Sequence, residues 1–136
     1  MYEMFEHTAD LGLRVAAADL PALMVEAAHG LTAMLLDDPS SIQPRETVTF
    51  AVSGSEPDYL LLDWLNELLF HYDTTGWVGR EFEVTLADDH LQAIVRGEPV
   101  DPRRHGLAHE VKAITYHHLS VTETAEGWTG ELIVDI

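Results

Sequence analysis

The chain has 136 residues, 24 acidic against 7 basic, for a formal net charge of −17, with 46% hydrophobic residues and no cysteine. That length and apolar share indicate one domain over 1–136 with a real core, and the missing cysteines exclude disulfides and thiolate metal sites. The charge repels phosphate backbones, so direct, unaided nucleic-acid binding is disfavoured and a basic protein surface or a divalent cation is favoured. The longest apolar stretch, "LLLDWLNELLF", is too short and too polar to span a bilayer. No signal peptide pattern opens the chain, so the expected compartment is the cytoplasm.

In chain order, Leu11, Leu13 and Val15 alternate as an early strand after "HTAD". A helix follows, with Leu20, Leu23, Met24, Ala27, Ala28, Leu31 and Leu35 on one stripe, Asp19 as its cap and Pro21 in its first turn. "DDPSS" at 37–41 ends it. Val48, Phe50 and Val52 share one face of the next strand. A second helix begins near Pro57 with Ser55 as the expected cap and closes at Gly76. Its leucines spread well past one face, which predicts cover on two sides. Phe82, Val84 and Leu86 turn through "ADDH" into Leu91, Ala93 and Val95, a hairpin. Leu119 and Val121 lead through "AEG" into Trp128, Leu132, Val134 and Ile136, a second hairpin. Residues 101–116 fit loop, short helix or strand equally. The pattern predicts an α+β fold, two main helices packed on a largely antiparallel β-sheet.

Among candidate site residues, Asp10 reads first as a turn former, since its side chain can bond nearby backbone N–H groups. Asp135 lies in an apolar strand, and its facing relative to Trp128 and Leu132 turns on whether a bulge intervenes. With the carboxylate or carbonyl of Ile136 it offers hard oxygens suited to Ca²⁺ or Mg²⁺. Spacing alone does not bring Asp10 beside Asp135. His105 and His109 would share a helical face, but "HGLAH" lacks the glutamate of HExxH. The pair His117 and His118, read on a strand, would point to opposite faces. Arg96, Arg103, Arg104 and Lys112, the only lysine, mark the one stretch where an anion or acidic partner is expected. No nucleophile triad or phosphate loop is present.

Three separated motifs, "HTADLG", "LLDWLNELLF" and "EVKAITYHHL" followed by the final "DI", resemble the archease family over essentially the whole chain. His118 departs from it, standing where Gly, Asn or Asp is common. The resemblance implies a non-catalytic activator of the GTP-dependent tRNA-splicing RNA ligase, promoting that ligase's guanylylation and multiple turnover. It also implies a bound divalent cation, Ca²⁺ first and Mg²⁺ or Mn²⁺ next, on Asp10, Asp135 and Ile136. Lys112 matches a position needed for activation, and His7, in the first motif, is grouped with it as facing the partner. Two other readings remain: a chaperone-like modulator of a tRNA cytosine methyltransferase, and a stand-alone metal-dependent hydrolase using Asp10 with a histidine such as His7.

Overall fold

The computed structural model describes residues 1–7 and 10–136, so Thr8 and Ala9 of the first motif lie outside the described residues. The described chain runs β1 (Tyr2–His7), β2 (Asp10–Ala17), α1 (Leu20–Leu35), a 3-10 turn (Pro39–Ser41), β3 (Glu46–Ser53), α2 (Pro57–Thr75), β4 (Trp77–Ala87), β5 (His90–Pro99), α3 (Pro102–His105), β6 (Ala113–Ile114), β7 (Ser120–Thr124) and β8 (Gly127–Asp135). The strands form two antiparallel sheets. One has the order β1-β2-β8-β6, with β7 also on β8; the other is β3-β5-β4.

Both long helices lie between the sheets. Helix α1 packs on β2 and β8 of the larger sheet and on β4 of the smaller one. Helix α2 packs on β3, β4 and β5 and also reaches β6 and β7. Its leucines are therefore covered from two sides, as their spread predicts, and Leu60, Leu61, Trp64, Leu65 and Leu69 are buried. Trp64 is fully buried, and its indole N–H donates to the Met24 carbonyl at 2.9 Å. That bond satisfies the only polar atom of the ring while tying α2 to α1.

The ends of the helices follow local chemistry. Asp19 accepts from the Ala22 N–H at 2.8 Å, satisfying one of the orphan donors of α1. Gly76 closes α2 at φ 69°, in the left-handed region, with its N–H on the Tyr72 carbonyl. The expected Ser55 cap is replaced: Glu56 takes the N-cap position of α2 without a side-chain bond, and Pro57 fills the first turn. Both expected hairpins form, β4 with β5 and β7 with β8. Strand β1, which periodicity left unassigned, pairs with β2 along its whole length.

Segment 101–116 takes all three of its possible forms in succession. Helix α3 is four residues long, Leu107 bridges to Leu36, and β6 adds two residues to the edge of β8. Helix α3 stops at His105, so His105 and His109 share no helical face. His117 and His118 sit in the turn between β6 and β7 rather than on a strand. His118 has φ 57°, a conformation that Gly, Asn and Asp adopt most readily.

Candidate functional site

Strands β2 and β8 run in unbroken register from Asp10↔Asp135 to Ala17↔Trp128. No bulge intervenes, so Asp135 lies on the face opposite Leu132 and Val134, which point into the core. Directly opposed residues on antiparallel strands share a face, with Cβ atoms about 5 Å apart. Asp10 and Asp135 are such a pair, and both are half-buried. The adjoining pairs extend this row across the sheet. His7 of β1 is the backbone partner of Asp10, and Ala113 of β6 is the partner of Asp135.

Two carboxylates held in this way repel each other. Arg14, on the same face four residues along β2, is engaged elsewhere. Its guanidinium lies 3.0 Å from Glu131 and 3.5 Å from Glu3, and stands 4.5 Å over the Phe5 ring. Among the described residues no basic side chain comes within 4.0 Å of the Asp135 carboxylate. Lys112 is exposed, and its backbone N–H donates to the Asp135 carbonyl at 2.8 Å. The last residue, Ile136, is half-buried beside the pair. Of the predicted residues, Asp10, Asp135, Ile136 and Lys112 therefore meet at one corner, with the His7 backbone in the same row. Among the described residues no three His, Asp or Glu side chains converge as a metal cage. Among the described residues, the oxygen donors at this corner are the two carboxylates and nearby main-chain oxygens.

A second polar centre escapes sequence reasoning. Glu98 is 2% exposed and accepts two bonds from Arg104, at 2.6 and 2.9 Å. It also accepts from the Gln43 N–H at 2.6 Å and meets His105 Nε2 at 3.1 Å. His105 Nδ1 accepts from the Asp101 N–H at 2.9 Å, which places the ring proton on Nε2, toward Glu98. The Arg104 guanidinium, ahead of the Gln43 and His105 bonds, holds the Glu98 carboxyl down at about 2 against the opposing effect of burial. The strand parity of Glu98 points it away from the core leucines. It is buried because α3 and the 3-10 turn fold over it, a long-range event without a local signal. This centre and the bonds from Ala108 N–H to Leu35 and from His109 N–H to Met34 strap residues 104–112 against the end of α1. Arg104, expected to meet an external anion, is thus committed to an internal one, and Arg96 lies 3.6 Å from Glu83.

Residues 2–136 match the Archease protein family (MTH1598/TM1083). The chain belongs to the archease family. Archease proteins of Methanopyrus kandleri and Pyrococcus abyssi are 37% and 34% identical to it, over 99% of this chain and 99% and 98% of theirs. The solution structure of Methanobacterium thermoautotrophicum protein 1598 superposes with a TM-score of 0.87 at 28% identity, covering 99% of this chain and 98% of that one. The crystal structure of an archease, possible chaperone, from Thermotoga maritima shares the fold, with a TM-score of 0.70 at 20% identity and coverage of 100% and 98%. The α+β sandwich is thus the archease fold. No helix of the described residues is long and apolar enough to cross a membrane.

Proposed function

We propose that the chain is a non-catalytic activator of a GTP-dependent tRNA-splicing RNA ligase, acting through a divalent cation at the Asp10–Asp135 corner. One observation carries the reading: the register that sets Asp10 opposite Asp135, with Lys112 bonded through its backbone to the Asp135 carbonyl. The donors are hard oxygens, which fit Ca²⁺, Mg²⁺ or Mn²⁺. The register sets both carboxylates on one sheet face, where such an ion could take a donor from each strand. When bound, the ion supplies positive charge at a corner that otherwise repels phosphates.

The residues of the chain do the rest. Asp10, Asp135 and a main-chain oxygen of Ile136 hold the ion, and Lys112, together with His7 of the first motif, serves activation of the partner. Lys112 offers a mobile ammonium to a phosphate or a ligase carboxylate. The net charge of −17 draws the chain to a basic RNA-binding surface, raising the on-rate in a way that fades with salt.

The test is ligase guanylylation and multiple-turnover ligation with the wild-type chain, Asp10→Ala and Lys112→Ala. Stimulation by wild type and its loss in both folded variants is expected. Equal stimulation by Asp10→Ala removes the cation from the account, and no stimulation by wild type removes the ligase. Phosphoester turnover by the chain alone favours the hydrolase reading instead.

A further inference from the structure

The turn between β6 and β7 carries a feature that the cation corner does not use. Tyr116 is 73% exposed, the most exposed of the large hydrophobic side chains among the described residues. Its ring stacks on His117, with centroids 5.6 Å apart and planes 13° from parallel. The turn beneath it is tightly bonded. The Thr115 N–H donates to the Ile133 carbonyl at 3.0 Å, the Ile133 N–H to His117 at 3.1 Å, and the Leu119 N–H to Tyr116 at 3.1 Å. The Thr115 hydroxyl adds a bond to Ile133 at 2.8 Å. An aromatic ring held out from the surface on a rigid support loses little freedom when something docks on it. The turn is joined to β8 at Ile133, midway between Glu131 and Asp135 on the same sheet face.

Charge decides what fits there. With 24 acidic against 7 basic residues, the chain favours a cationic group at an exposed ring. A flat cation that both stacks on a phenol ring and bonds carboxylates is a guanidinium. We infer that the Tyr116–His117 stack is a docking platform for an arginine side chain of a protein partner, which lies flat on the Tyr116 ring. In its ligase arm this inference rests on the function proposed above, since it gives that partner's contact surface a chemistry. It adds an anchor separate from the cation corner.

Two titrations test it. An arginine-glycine repeat peptide and its lysine analogue are titrated into the isotopically labelled full chain. The Tyr116 and His117 ring resonances are expected to move more with the arginine peptide, and that selectivity to vanish in Tyr116→Ala. Equal response to both peptides, or shifts confined to other acidic surfaces, overturns the inference whatever the ligase does. The ligase is then titrated in moderate salt. Tyr116→Ala is expected to weaken binding roughly tenfold, as truncation of an aromatic anchor does, while Tyr116→Phe stays within about twofold of wild type. Unchanged affinity in Tyr116→Ala overturns the platform and leaves the activator reading standing. Tyr116-dependent binding of GTP or of single-stranded RNA by the chain alone also overturns it, in favour of a nucleobase platform.

Discussion

Replacing Glu98 by glutamine asks how much a buried ion pair outside the candidate site supports the fold. The glutamine carbonyl can occupy the position of Oε2 and still accept from Arg104 Nη1, Gln43 N–H and His105. Its amide nitrogen then faces Arg104 Nη2, which bonds Oε1 at 2.9 Å in the native protein. One charge-assisted bond is lost and two donors oppose each other. Such bonds are worth about 1.5–3 kcal/mol, and breaking a buried pair costs about 3–5 kcal/mol. Arg104, 36% exposed at its side chain, can partly rehydrate, so about 2–3 kcal/mol is expected, lowering Tm by roughly 10 °C in a chain of this size. The pH dependence has a fixed sign. The folded carboxyl sits at about 2 against an ordinary 4.5, so its stabilisation is complete above 4.5 and is lost as pH falls toward 2. Urea unfolding followed by tryptophan fluorescence at about pH 7 and about pH 3 measures both effects. A difference below about 1 kcal/mol at the higher pH, or one that does not shrink at the lower, refutes the argument.

Three further outcomes follow from the geometry. In chelator, Asp135→Asn should melt close to the wild-type temperature, because the carboxylate it replaces is half-buried at the end of β8 and makes no ion pair with the described residues. Added Ca²⁺ should raise the wild-type Tm by several degrees and leave Asp135→Asn unmoved; a wild-type Tm indifferent to Ca²⁺, Mg²⁺ and Mn²⁺ would falsify the cation site. Gly97→Ala sets a methyl against the Val78 carbonyl and the Gly79 backbone beside the register shift of β4, and should cost about 1–3 kcal/mol by denaturant titration. A neutral result there would show that the β4–β5 pair has room to spread. Trp64→Phe removes buried volume and the bond to Met24 and should destabilise by about 2–4 kcal/mol, with both helices losing exchange protection together.

Local rules carried the sequence reading as far as local physics reaches. The Asp19 cap, the Gly76 stop and both hairpins depend on neighbours a few residues apart, and all are present. Strand β1 escaped because it alternates weakly: Tyr2 and Met4 share a face yet remain 38% and 41% exposed, while Phe5 faces the other way with Arg14. At the candidate site the types of residue were legible but their meeting was not, since the Asp10–Asp135 pair is made by register between strands at opposite ends of the sequence. Residues 101–116 resisted assignment because their order comes from α1, β8 and Glu98 rather than from their own periodicity. Arg104 shows the same limit, since nothing local to it announces a buried carboxylate partner.

The seam between β2 and β8 also shapes how the chain must fold. The β4–β5 and β7–β8 ribbons close over short turns and can arise within microseconds. The seam joins segments more than a hundred residues apart, so its loop entropy must be met before any of its bonds forms. The larger sheet therefore completes late, zipping a preformed β7–β8 ribbon onto an amino-terminal strand that has waited beside α1. Weakening that seam should leave the refolding of the smaller sheet untouched and retard only the slowest phase.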